Sequence, residues 1–179
     1  MSEANLSNLD ELVLVEVTAP KMLESIYALR VVAWRSKVEI PDCETQWIDD
    51  IEPISKHWAV LCGDRVVAAA RLSIHELITD VPDPEGYHGV IDSLPAPIGS
   101  MNRCVVHPDF RGRGLSKLLD QTRIAAARNS GCRSLIVSAT DKKRAAALAG
   151  QGFKYYGTGP GIPYGIGADI PILVFAIIL

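Results

Sequence analysis

Apolar and polar positions follow two rhythms along this chain, and each change of rhythm marks an element. Residues 11–18, ELVLVEVT, are dense in β-branched side chains and read as a strand. Thr18 and Pro20 then supply a helix start, and Met22, Ile26, Leu29 and Ala33 recur at the spacing of one helical face. The stretch 56–75, KHWAVLCGDRVVAAARLSIH, is two apolar runs around Gly63-Asp64, the composition of a tight hairpin. IGSMNRCVVH (98–107) returns to strand. From Gly114 onward, Leu115, Leu118, Leu119, Thr122, Ala125 and Ala126 mark a helical face that Gly131 closes. SLIVSAT (134–140) reads as a buried strand and DKKRAAALAGQG as a helix opening near Asp141. FKYYG starts another strand, and a glycine- and proline-rich loop (157–167) leads to the terminal run PILVFAIIL.

Two segments break the pattern. Residues 39–53, EIPDCETQWIDDIEP, carry six carboxylates and no basic residue, with a short helix predicted over Thr45–Ile51. Residues 79–97 hold four prolines and form a long irregular stretch, the kind of loop that usually serves function and suits a lid. Residues 1–10 read as a loose arm. The order β-α-(α)-β-β-β-α-β-α-β-β, without repeat or interdomain linker, predicts one domain over 1–179. Its fold class is α/β (α+β), a mixed sheet with helices on both faces.

Composition narrows the function. The 179 residues are 48% hydrophobic and 22% charged, enough for one real core and not a disordered chain. A net charge of −3 gives no basic field for nucleic acid or membrane. Cys43, Cys62, Cys104 and Cys132 form no CxxC, and no Cys/His spacing matches a zinc site, so free thiols in a reducing cytoplasm and no metal are expected. The N-terminus is polar and acidic rather than secretory, and the longest apolar run is under half a bilayer span. Trp34, Trp47 and Trp58 read as core or interface anchors.

The most informative stretch is HPDFRGRGLSKLL (107–119). Glycines ahead of a helix start, with two arginines, gather unpaired amides, a partial positive charge and formal cations into an anion site suited to a diphosphate. A P-loop would need GxxxxGK[ST], which is absent. A dinucleotide fingerprint would need a third glycine where Lys117 stands. RNA binding would need an extended basic patch. The bland alternative is a surface turn with solvated arginines.

VVHPDFRGRGLSKLL resembles the acyl-CoA signature of the GNAT N-acetyltransferase superfamily, R/Q-x-x-G-x-G/A between the fourth strand and the third helix. Arg111, Gly114 and Ser116 stand at its three fixed positions. DKKRAAALAGQGF is similar to the family's second motif, ending at Gly152 and Phe153. Three positions depart from the family: Ser116 for Gly or Ala, Asp141 for Asn, and Leu148 for the tyrosine that often serves as general acid. The resemblance implies a mostly antiparallel sheet of about six or seven strands. It implies an acetyl-CoA or other acyl-CoA donor and an amine-bearing acceptor, with a homodimer possible. The pantetheine arm would lie along the backbone of Cys104, Val105 and Val106, and Asp141 could accept from a pantetheine N–H. The diphosphate would sit at Arg111, Gly112, Arg113, Gly114, Leu115, Ser116 and Lys117.

Catalytic candidates are weaker. His75 and Glu76 end the third strand, His107 follows the fourth and reads as orienting the loop before Pro108, and Asn102 alternates with Cys104 and Val106. Tyr155 or Tyr156 could supply a proton, one facing the core and the other the cleft. Segments 20–53, 79–97 and 157–167 would grip the acceptor, and the acidic cluster could favour a cationic amine. The function expected is N-acyl transfer. Two alternatives accompany it: a non-catalytic acyl-CoA-binding sensor, and a long-chain acyl transferase related to acyl-homoserine-lactone synthases, whose first-helix pattern YALRVVAWR (27–35) resembles.

Overall fold

The computed structural model describes residues 12–35, 37–163 and 169–179. Strand β1 (Leu12–Val17) leads into helix α1 (Pro20–Trp34), and β2 (Lys56–Cys62) and β3 (Arg65–His75) form the predicted hairpin about Gly63-Asp64. Then follow β4 (Ile98–Val106), α2 (Leu115–Asn129), β5 (Ser134–Ala139), α3 (Lys142–Ala149), β6 (Lys154–Pro163) and β7 (Asp169–Ile178). The sheet runs β1-β2-β3-β4-β5-β7-β6, and every neighbouring pair is antiparallel except β4 and β5.

Strand alternation sorts the side chains to two faces. Ala68, Ala70 and Leu72 of β3 point to one face, with Leu115, Leu119 and Ala127 of α2 and Leu148 of α3. Ala69 points to the other, with Ile26, Leu29 and Ala33 of α1. Beyond α1 that second face has no helix. The 79–97 loop covers it instead, burying Val81, Tyr87 and Ile91 against Ile136 of β5 and Ile172 and Val174 of β7. The loop packs hard there: a Cβ at Gly159 would overlap the carbonyl oxygen of Gly86.

Three expectations change. Residues 45–51 are not a helix. Trp47 N–H donates to Tyr27 O and Asp49 N–H to the Glu52 carboxylate, so these amides serve contacts to α1 and to the 3-10 turn Glu52–Ile54. The glycine-rich stretch expected as loop is strand as far as Pro163, because backbone ladder bonds ignore side chains and two register shifts absorb the misfit. Residues 164–167 of that stretch, and the 1–10 arm, lie outside the described residues. Helix α2 buries Leu115, Leu119, Asp120, Arg123 and Ala127, whereas Leu118 is 38% exposed, so its inner face is partly ionic.

Candidate active site at a split in the sheet

The parallel β4–β5 pairing covers only Ile98–Ser100 against Ser134–Ile136. Beyond it β5 stays with β7, pairing Val137 to Ala139 with Phe175 to Leu173, while β4 stays with β3. Between the pairs Ala69↔Val105 and Arg71↔Asn102, β3 advances two residues and β4 three. The extra residue is a bulge, and Arg103 there has φ +50. A bulge bends its strand, so β4 leaves β5 and a cleft of about 150 Å³ opens between them. Asn102, Arg103 and Cys104 line one wall, Val137, Ser138 and Thr140 the other, and Trp34, Asp83 and Tyr87 the side of α1 and the loop.

The bulge also undoes the expected alternation. Asn102 pairs with Arg71 on the α1 face, whereas Cys104 and Val106 pack into the α2-side core. Burial pushes the Cys104 thiol up, so it is no ready nucleophile at neutral pH.

Buried charge grips β4 on each face. On the α1 face Arg71, fully buried, donates to the Asn102 side chain (2.6 Å) and to Glu52 (2.6 Å), and lies 2.8 Å from Asp49. Glu52 also accepts from Arg30, and Asp49 from Arg103 at 2.6 and 2.8 Å. Burial opposes charge on Asp49. The Arg103 hydrogen bonds and the charges of Arg103, Arg71 and Arg30 outweigh it and hold the carboxyl at about 2. On the α2 face Asp120 accepts from Arg123 and Arg144. Arg123 donates onward to the carbonyls of Arg71 and Asn102, at 3.1 and 3.2 Å, beside the bulge. Motif and periodicity do not single out these residues. The signal the sequence does carry is a lone arginine inside an apolar strand (Arg71) and an i,i+3 Asp–Arg pair in an apolar helix, since such charges stay buried only with partners.

A groove continues from the cleft along Cys104, Val105 and Val106 to the turn before α2. Gly112 and Gly114 have φ of +81 and +78 with open space where a Cβ would stand, so the left-handed backbone explains the glycines here. Helix α2 has no side-chain cap, and among the described residues no group accepts from the amides of Gly112 to Lys117. Arg111 donates to Ala33 O (2.8 Å), tying the turn to α1, and Arg113 lies over the Phe110 ring. Leu115 is buried, Ser116 lines the groove and Lys117 is exposed. Lys143 also lines it, a cation that no sequence motif marks. Asp141 caps α3 through Arg144 N–H (2.8 Å) and pairs with Lys37 (3.2 Å) beside the cleft. These contacts hold its carboxyl below the usual range.

The other candidates lie elsewhere. His75 pairs with Ile98 at the far end of β4, roughly 16 Å along the strand from Arg103 at about 3.3 Å per residue, and faces Ser73 Oγ at 2.8 Å. Glu76 is exposed beside it. His107 accepts from Asp109 N–H and orders the turn at Pro108. Tyr155 and Tyr156 are both exposed on edge strand β6, with β7 and β5 between them and β4. The Tyr155 ring packs on the core residue Phe175 with centroids 5.4 Å apart, yet neither tyrosine is buried. Leu148 is fully buried. Of the acidic segment, Asp49 and Glu52 are spent on arginines and Asp42 pairs with Arg35. Trp58 is a core residue, while Trp34 and Trp47 stack at 6.1 Å by the cleft mouth. Among the described residues no cluster of three or more His, Cys, Asp or Glu could hold a metal, and no helix is long and apolar enough to cross a membrane.

The sheet is thus split at a bulged fourth strand, with an open amide turn at the end of the groove. The acetyltransferase (GNAT) family model matches residues 23–153, and the chain belongs to that family. A search of curated proteins finds no match to the sequence. Solved structures share the fold at low identity. FeeM, an N-acyl amino acid synthase from uncultured soil microbes, matches at 11% identity and TM-score 0.66, over 94% of this chain and 91% of its own. An acetyltransferase of Bacillus subtilis in complex with CoA matches at 12% and 0.62, over 94% and 99%. The AHL synthase LasI matches at 16% and 0.65, over 93% and 89%.

Proposed function

We propose that the protein is an N-acyltransferase that takes an acyl group from acyl-CoA and places it on an amine. The observation that carries this reading is the continuous groove from the open amides after Phe110 to the β4–β5 split. A diphosphate fits the first end: the amides of Gly112 to Lys117 converge at the positive end of α2, and Lys143 adds charge. A pantetheine arm fits the second as an added strand, because among the described residues the β5-facing edge of β4 beyond Ser100 has no ladder partner. Following β4 from the turn, the arm meets Val106, then Cys104, then Asn102, which brings the thioester into the cleft. A β4 amide donating to the thioester carbonyl stabilises the oxyanion that develops during attack. Acyl-CoA supplies an activated carbonyl and a thiolate leaving group. The CoA bound in the Bacillus subtilis structure supports the donor class, and the naming of FeeM as an N-acyl amino acid synthase supports an amine as the acceptor class.

The test is Gly114→Glu against Gly114→Ala. Both strain the same φ of +78, and only the first places a carboxylate in the turn. Calorimetry with acetyl-CoA is expected to show binding to the alanine variant and none to the glutamate variant. Equal affinity would remove the turn from the site.

A further inference from the structure

Among the described residues only two other than glycine have positive φ, Asp83 at 55° and Arg103 at 50°. They lie on different elements, the loop before β4 and the β4 bulge, and both line the cleft. Their side chains face each other, with Arg103 Nη2 3.9 Å from Asp83 Oδ2. Strained backbone of this kind persists where the surroundings over-determine it, and it concentrates at functional sites.

The two carboxylates near Arg103 differ sharply. Asp49 takes its guanidinium in two short hydrogen bonds. Asp83 makes no side-chain hydrogen bond among the described residues and remains one-third exposed to the cleft. Its turn is closed by its own backbone, whose carbonyl accepts from Gly86 N–H at 3.0 Å, so the 3.9 Å approach to Arg103 is the one ion pair its carboxylate makes among the described residues. Burial pushes the Asp83 carboxyl up, with Asp49 and Glu85 adding to the rise and Arg103 and Arg71 only partly offsetting it. Two neighbouring carboxylates pushed in opposite directions is the pattern that separates a fixed counter-ion from a proton acceptor.

We propose that Asp83 is the catalytic carboxylate of the acceptor side, binding the primary ammonium of the acceptor and removing its proton. The inference rests on the acyl-CoA reading above and deepens it by assigning the acceptor a cationic amine. Asp83 takes one proton from the ammonium, and the freed nitrogen lone pair forms a C–N bond with the thioester carbonyl carbon. The C–S bond then breaks with its electron pair on sulfur. The extra proton now on nitrogen passes to the thiolate through water, and Asp83 returns its own proton to solvent. Asn102, locked between Arg71 and Ser100, and Asp49, locked on Arg103, are not free for this step.

The experiment measures acetyl-CoA binding, thermal stability and thiol release from acetyl-CoA with n-butylamine and putrescine, across pH. Asp83→Asn keeps size and tolerates the left-handed backbone. Asp83→Gly relieves the φ altogether and is a second variant that folds without strain. Both are expected to bind acetyl-CoA within twofold of wild type and to lose about a hundredfold or more in kcat. The acidic limb of the pH–rate profile should vanish, and Asp83→Gly should melt no lower than wild type. Wild-type turnover in either variant overturns the assignment. So does a wild-type chain that binds acetyl-CoA yet releases no thiol with either amine. A wild-type chain that fails to bind acetyl-CoA overturns the donor reading instead.

Discussion

The two buried charge clusters grip the same bulge from opposite faces of the sheet, and they are built differently. On the α1 face Arg30, Arg71 and Arg103 share Asp49 and Glu52, and Arg30 Nε and Arg71 Nη2 are buried without a partner among the described residues. On the α2 face a single carboxylate, Asp120, holds Arg123 and Arg144 and also accepts from Gln151. The first cluster has redundancy at Arg71, which reaches both carboxylates, while Arg30 has Glu52 alone as its carboxylate partner among the described residues. The second has none, and it fixes α2, α3 and the bulge carbonyls to one another.

Removing the hub should cost most. Asp120→Ala leaves the fully buried Arg123 and the part-buried Arg144 without their ion-pair carboxylate and is expected to destabilise by about 3–5 kcal/mol in denaturant unfolding. Glu52→Ala strips the buried Arg30 of its carboxylate but leaves Arg71 paired with Asp49 at 2.8 Å, so its cost should fall at the low end of that range, about 3 kcal/mol. Equal losses would erase the distinction between the clusters.

Acid weakens both clusters, because arginine partners outweigh burial and hold Asp120 as well as Asp49 below the ordinary carboxylate value. Asp49 sits at about 2 in the fold against an ordinary 3.8, so it stabilises the protein above the ordinary value. That contribution, roughly 2 kcal/mol, is lost as pH falls from about 4 through about 2, and Asp49→Asn should flatten this part of the stability curve. A smaller loss begins earlier. Burial lowers His57 and His75 from their ordinary 6.5, so stability should decline as pH drops below about 6.5, less steeply in His75→Gln. The smallest effect belongs to the exposed Lys37–Asp141 pair, where Lys37→Met should change stability by no more than ~0.5 kcal/mol.

Much of the donor side is legible in the residues themselves. The glycines at 112 and 114 are demanded by a local backbone conformation, and the order of strands and helices is written in local periodicity. The acceptor side is not. His75 and Glu76 are sensible candidates by residue type, yet β3 carries them past the cleft to the far end of β4. Chain order puts Tyr155 and Tyr156 near the reaction, yet the sheet order moves β6 to the edge. The ionic face of α2 escapes hydrophobic periodicity, which counts Asp120 and Arg123 as outward-facing, and only their mutual pairing allows them to turn in.

Local chemistry along the chain dictates the elements, their order, the two-faced sheet and the anion-seeking turn. Each follows from forces acting within a few residues: side-chain period, glycine φ and unpaired helix amides. Long-range packing settles the rest: that β4 bulges at Arg103, that Asp83 faces it, and that Asp49 reaches Arg103 across 54 positions. Those contacts join segments far apart in the chain, where burial decides which charges find partners and which remain available for chemistry.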